Sequence, residues 1–402
     1  MKPYRSSMLS LFLSTLLMVF ITGCWNSKEM NEMSVVMAIG IDTVDDQYEI
    51  SVQVVDPSQM SRNRTMERSP TIVFSKRADT LFEALRNFTT ESSRKMYMSH
   101  LKFVIFDEET AKKGIKEPLD FLFRDPEVRP DFYVAVVRDS SAKNAVTFVT
   151  PTEVLPAMDM YKALKVSEQA WAPTSAVNVK DLLKTFRKEG IEPVLTGIRL
   201  GNLEKGLALE NVKTSPRHVN YSFTGIGVFK GDKLIGWMDE SKSKALTYIT
   251  NSVSSTVAAV DCPDSKGKFV IEVISSKVKI RPDIRNHEPH ITLVVNTEAN
   301  IGEVACQANM KDKGVIKDFQ DAAREFQEQI LKEGIKDAQR IGSDIFGFGE
   351  AFHRKFPREW HTWRKDWPQK FQQLEVDFQI SYHLKRIGKI SSPIEPDQHS
   401  QE

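Results

Sequence analysis

Residues 315–346 read VIKDFQDAAREFQEQILKEGIKDAQRIGSDIF. Phe319, Ala323, Phe326, Ile330, Gly334, Ala338, Ile341 and Ile345 recur every three or four positions, while Lys317, Asp321, Arg324, Glu328, Lys332, Lys336 and Arg340 line the opposite side. This spacing predicts an amphipathic helix of about eight turns, with pairs such as Arg324 and Glu328 four residues apart on its wet face. Gly334 costs ~1 kcal/mol of helix propensity relative to alanine. Its place in the apolar row therefore predicts that another element comes close there.

Around this helix the pattern has period two. Phe269–Ile280 and Ile291–Ala299 read as strands separated by a turn containing Pro282 and Pro289. After Gly347-Phe348-Gly349 a shorter helix carries Trp360, Trp363 and Trp367, and a last strand over 374–384 alternates Val376, Phe378, Ile380 and Tyr382 with Asp377, Gln379 and Ser381. The order ββααβ over 268–388 predicts an antiparallel sheet packed on one long C-terminal helix, an α+β arrangement. Residues 389–402 form a polar tail.

Upstream, 219–238 reads as a hairpin turning at Gly231-Asp232-Lys233, followed by a helix near 241–251. Residues 70–200 alternate strands (72–74, 101–106, 132–137, 194–200) with helical stretches (81–88, 115–122, 141–148, 153–170, 179–188) and predict a mixed α/β block, with Asp79 as N-cap of the first helix. No Gly-rich phosphate loop follows any of these strands. Residues 34–55 form a hairpin with a polar turn from Asp42 to Asp46, and the polar 58–69 stretch is a mobile loop by composition. A chain of 402 residues exceeds what one core usually serves, so two to three domains are expected. The expected borders are 24–200 and 218–388. Alternatively, the two hairpins share one sheet, with the 70–200 block inserted between them as a subdomain.

The first 23 residues have the parts of an export signal: Lys2 and Arg5, an apolar run from Met8 to Ile21, then small residues. The run would make a helix of ~21 Å, short of the ~30 Å hydrocarbon core. Ile21-Thr22-Gly23-Cys24 resembles the bacterial lipobox, in which cleavage before the cysteine (here between Gly23 and Cys24) leaves it S-diacylglyceryl-modified and N-acylated. Nine residues from Trp25 to Met33 span at most ~32 Å, so the folded part would lie close to the membrane.

Beyond Cys24 the 53 remaining Lys and Arg and the 54 Asp and Glu leave a formal charge of −1, without the basic excess of a nucleic-acid binder. Cys262 and Cys306 could pair in an exported protein, but two cysteines are no disulfide framework. His287-Glu288-Pro289-His290 lacks a third ligand for a metal, and the segment reads as a solvated turn. There is no His-Glu-x-x-His motif and no Gly-x-Ser-x-Gly elbow. No catalytic constellation, metal or cofactor is expected. Trp360, Trp363 and Trp367 fall at i, i+3 and i+7. The first reading is a core face; the alternative is a contact face for a partner or lipid interface.

Several stretches together resemble the Ger(x)C lipoproteins, the C subunits of GerA-type nutrient germinant receptors. They are Thr-Gly-Cys-Trp-Asn-Ser-Lys-Glu at 22–29 with Ala-Ile-Gly-Ile-Asp at 38–42, the 225–237 stretch GIGVFKGDKLIGW, and the 339–349 stretch QRIGSDIFGFG followed by Phe356-Pro-Arg-Glu-Trp360 and Trp367. After Trp237 this chain has Met-Asp-Glu-Ser-Lys-Ser where the family often has Glu-Thr-Arg-Gly. The resemblance implies three α/β-type domains on a lipid anchor and integral-membrane A and B partner subunits. It also implies a place on the outer face of the spore inner membrane and a non-catalytic role in the response to small nutrients. Direct binding of those nutrients by this subunit is not implied. The rival reading is a solute-binding lipoprotein of an importer, which requires two similar α/β lobes around a cleft.

Overall fold

The computed structural model describes residues 33–55, 69–150, 152–171, 174–208, 221–263, 266–310 and 312–386. The signal segment 1–23, Cys24, the 58–69 loop up to residue 68, and the polar tail lie outside the described residues.

The chain runs β1 (Met33–Val44), β2 (Gln47–Val55), β3 (Thr71–Ala78), α1 (Leu81–Asn87), β4 (Lys95–Tyr97), β5 (Phe103–Asp107), α2 (Glu108–Lys113) and α3 (Lys116–Arg124). It continues with β6 (Tyr133–Arg138), α4 (Ala142–Thr147), α5 (Pro156–Ala170), α6 (Val179–Phe186), β7 (Val194–Leu200), α7 (Leu203–Gly206), β8 (Tyr221–Lys230), β9 (Lys233–Met238) and α8 (Glu240–Ile249). The last part is β10 (Thr256–Asp261), β11 (Lys268–Arg285), β12 (Glu288–Val304), α9 (Lys313–Ile341), α10 (Phe348–Lys355), α11 (Pro357–Trp363), α12 (Trp367–Gln372) and β13 (Glu375–Arg386).

A nine-stranded sheet has the order β3-β2-β1-β5-β6-β7-β8-β9, with β4 beside β1. Its centre, β1-β5-β6-β7, is parallel, and antiparallel hairpins flank it on both sides. Both faces are covered, as a parallel sheet requires. One face packs residues of α1, α2, α3 and α6, and the other packs α4 and α5. The two hairpins therefore do share a sheet. Of the 70–200 block, β5, β6 and β7 lie between them in it, while β3 extends the first hairpin at the sheet's edge, so the block does not form a separate insertion.

Two local expectations need correction here. The turn of the first hairpin is confined to Asp45 and Asp46, both at positive φ, as the tight turns that match strand twist require. Asp42 belongs to β1 and is buried. The N-cap of α1 is Thr80, whose hydroxyl accepts from Glu83 N at 3.3 Å, while Asp79 accepts from Gln47 instead.

The second sheet has the order β10-β11-β12-β13. The α+β class holds, and the expected antiparallel pairing holds for β10, β11 and β12. The last strand, β13, joins parallel to β12, because α9 carries the chain back along the sheet and such a crossover returns a strand in the same direction. β10 was not foreseen. The β11–β12 turn is Asn286-His287, at φ 50° and 68°, so Pro282 and Pro289 lie inside the strands. Pro282 sits beyond the end of β10, and Pro289 precedes the first residue that pairs with β13. Each has a ladder on one side only, where proline is tolerated.

Helix α9 starts at an Asp312 cap, which accepts from Gly314 N at 2.7 Å, and stops at Gly342, φ 86°. It is four residues shorter at its end than the periodicity suggested, because Ile345 belongs to the following turn. Gly334 behaves as expected: a Cβ there would lie 2.2 Å from the Ala245 Cβ and 2.8 Å from Lys242 O, so α8 and α9 are in backbone contact. Cys262 and Cys306 form a disulfide (S–S 2.00 Å) that ties the chain after β10 to the chain after β12.

Candidate functional site

The richest constellation of polar groups lies where the two sheets meet, in the turn that follows α9. Ser343 Oγ donates to Phe229 O of β8 at 2.7 Å. The buried Asp344 carboxylate accepts five N–H groups: Phe346, Gly347 and Phe348 N on Oδ1 at 3.2, 3.0 and 3.2 Å, then Gly349 N and Trp367 Nε1 on Oδ2 at 2.7 and 2.9 Å. Gly347, at φ 76°, lets the chain turn around the carboxylate. Asp344 O accepts from Glu192 N at 2.8 Å, and Gly190 O accepts from Glu350 N at 2.9 Å. The segment entering β7 is thereby fastened to the start of α10. Gly190 has φ 76°, and a Cβ on it would fall 2.3 Å from the Gly349 carbonyl carbon. Only two glycines allow this approach.

The tryptophans complete the junction. The row is not on one helix: α11 ends at Trp363, and α12 begins at Trp367. Its members nevertheless form one cluster: Trp363 and Trp367 meet Phe352 with centroids 5.7 and 5.5 Å away, and Trp360 meets Trp367 at 5.3 Å. Trp360 and Trp367 are 3% and 5% exposed; only Trp363 of the three is partly open to solvent. Trp360 Nε1 donates to Glu189 Oε2 at 2.9 Å, with Arg364 at 3.5 Å from the same carboxylate.

A cleft of about 490 Å³ lies here, between Glu189–Pro193 on one side and Asp344, Trp360, Arg364 and Trp367 on the other. Burial pushes the Asp344 carboxyl up to about 6 against the pull of its N–H donors, and burial also raises Glu192 against the Gly231 N–H. The Trp360 indole holds Glu189 below the usual range. Each of these carboxylates is engaged by protein donors, Asp344 by five N–H groups, Glu192 by Gly231 N and Glu189 by Trp360 Nε1, so the arrangement fastens the segments together.

A second buried carboxylate lies at the carboxyl ends of the parallel strands, where open α/β sheets place ligands. Asp42 Oδ1 and Oδ2 accept from Ala142 N and Lys143 N at 2.6 and 2.8 Å. The N-terminus of α4, the position an anion would take in such a sheet, is thus occupied by the protein's own side chain. Burial raises Asp42 to about 6, with Asp107 and Glu49 adding to the rise and the two N–H groups opposing it.

The 225–237 stretch is also explained by packing. Gly225 is at φ 52°, with Met238 O 2.0 Å from where a Cβ would lie, and the Trp237 ring closes over Gly197 and Gly227. Arg138 stacks on that ring at 4.4 Å. Asp239, in the stretch where this chain departs from the family pattern, caps α8 by accepting from Lys242 N at 3.0 Å. His290 is buried rather than in a solvated turn, with its Nε2 2.8 Å from Arg285 Nη1 and 3.1 Å from Asp377 Oδ2. Among the described residues no group of three or more His, Cys, Asp and Glu side chains is placed to hold a metal ion, and no helix is long and apolar enough to cross a membrane. The sequence pattern placed Asp42 in a turn and Gly190 at the stop of the 179–188 helix, and singled out neither Asp344 nor Glu189. The signal for Asp344 was its place before two alternating glycines in the 339–349 stretch.

Comparison with known proteins agrees with these motifs. Residues 26–200 match the family model for the spore germination protein N-terminal domain, and residues 224–388 match the spore germination B3/GerAC-like C-terminal model. Spore germination protein KC of Bacillus subtilis (strain 168) is 27% identical over 391 residues, covering 95% of this chain and 96% of its own. Spore germination protein A3 of the same organism is 21% identical, covering 94% and 97%. The crystal structure of the GerBC protein shares the fold, with a TM-score of 0.55 at 17% identity over 87% of this chain and 97% of that one. This chain belongs to the Ger(x)C family of spore germination proteins.

Proposed function

We propose that this protein is a lipid-anchored, non-catalytic subunit of a nutrient germinant receptor, held through Cys24 on the outer face of the spore inner membrane and assembled with integral-membrane A and B subunits. The observation that carries the reading is one of position: the family match begins at residue 26, two residues after the lipobox cysteine. An anchor at Cys24 would adjoin the whole family domain set. Two acyl chains suffice for stable attachment, at about 0.8 kcal/mol per buried methylene. The Cys262–Cys306 bridge suits an exported protein, since disulfides persist in oxidising compartments. The engaged carboxylates at both buried sites favour a scaffold over a catalyst.

Cys24→Ala tests this reading. The variant is expected to leave the membrane fraction in detergent-free buffer and to impair germination by nutrients. Full retention with membrane, with normal germination, would contradict the proposal.

A further inference from the structure

A groove of about 450 Å³ lies between α1, β4 and α3. Its floor is Met96 and Met98, buried at 8% and 5% exposure, and Phe82 stands on its wall at 53% exposure. Phe82 meets Phe121 edge-on at 5.9 Å and carries the Arg86 guanidinium 5.0 Å from its ring centroid. Methionine floors adapt to different apolar occupants. An exposed aromatic beside them is the usual anchor of a recognition surface.

Its place in the fold says what faces it. β4, which supplies Lys95 and Met96 to the groove, pairs with the first described residues of the chain: Met33 with Lys95, Ser34 with Met96 and Val35 with Tyr97. Nine residue steps separate Met33 from Cys24, a reach of at most ~32 Å. A groove at the point where the tether arrives therefore works next to the bilayer.

The charges on its wall narrow the choice of occupant. Lys95 is paired with Glu127 at 2.6 Å and Arg124 with Asp120 at 2.6 Å. With Lys95 and Arg124 paired, the remaining charges of the lining are Arg86 and Asp125, one of each sign, so the groove has no excess charge to draw an anionic headgroup layer. A flat layer also cannot fill a concave apolar trough, whereas side chains projecting from a helix can. We infer that this groove receives the apolar face of a helix lying at the membrane surface and contributed by an integral-membrane partner. The inference rests on the lipid-anchored receptor reading above.

The test uses the full, lipidated chain expressed with its membrane partners, carrying a photoreactive benzophenone amino acid at position 82. A second sample carries it at position 277, on the exposed outward face of β11. Illumination is expected to join position 82, and not position 277, to an apolar helix of a polytopic protein. Phe82→Ala, at an exposed position, is expected to keep its melting temperature while recovering at least tenfold less of that partner. Wild-type co-purification is measured in parallel. If polytopic partners co-purify but position 82 yields no adduct, or joins lipid, a second copy or its own chain, the groove is not their site and the receptor reading stands. If the wild type neither stays with membrane nor brings down a polytopic protein, the receptor reading falls, and this inference with it.

Discussion

Two sites in this molecule are built alike from a glycine pressed against backbone and a buried aspartate collecting N–H groups. At Gly40 and Asp42 a Cβ on the glycine would lie 2.8 Å from Ala142 C and O, and the carboxylate takes two N–H groups from α4. At Gly190 and Asp344 the clearance is 2.3 Å and the carboxylate takes five donors. The first pair fixes a helix on its own sheet. The second fixes one sheet to another. The second junction adds directed hydrogen bonds and close backbone contact to the apolar packing of Ile226, Val228 and Met238 in the small sheet's core.

That difference can be broken or sharpened by measurement. Gly190→Ala meets both a positive φ and a backbone clash, and is expected to cost about 4 kcal/mol, read as a lowered denaturant midpoint. Replacing both Cys262 and Cys306 by alanine should cost about 3 kcal/mol, with hydrogen-exchange protection lost in β10–β12 and kept in β1–β7. Gly40→Ala should cost about 2 kcal/mol, with protection lost in α4 alone; equal costs at Gly40 and Gly190 would erase the distinction.

The smallest effect is in pH. Asp42 and Asp344 are each raised to about 6, so between about pH 4 and 6 the native state holds protons that the unfolded chain has released. Their contribution is full below about 4 and lost as pH rises through 6. Asp107 and Glu192 are raised by burial and add to it, while Asp46, Asp239 and Glu189 are shifted downward and oppose it. The net gain is on the order of 1 kcal/mol at pH 5 over pH 7. Asp42→Asn should remove part of that gain.

Much of the fold was legible because it rests on periodicity. The hairpins, the α/β alternation, the long helix and the close approach at Gly334 all follow from where apolar residues and glycines fall. What escaped depends on contacts distant in sequence. Asp42 looked like a turn residue because its N–H partners lie 100 residues away. The parallel placement of β13 depends on the crossover and not on the strand itself. Trp360, Trp363 and Trp367 keep helical spacing although the helix breaks between them, and the cluster that Trp363 and Trp367 form on Phe352, with Trp360 against Trp367, was hidden for that reason.

The hairpin β8–β9 shows most clearly why borders are hard to read. It is hydrogen-bonded into the large sheet, yet Ile226, Val228 and Met238 lie in the core of the small one. The two family segments, ending at 200 and beginning at 224, adjoin the paired strands β7 and β8. Alternation alone shows a hairpin and cannot say which core it serves.

The central structural claim is that the turn around Asp344 welds the two sheets into one body. Calorimetric unfolding of wild type and Asp344→Ala tests it most directly. Wild type is expected to unfold in one transition, and the variant, with five N–H donors left without their acceptor, in two separated ones. An Asp344→Ala protein that still unfolds in a single transition at the wild-type temperature would contradict it.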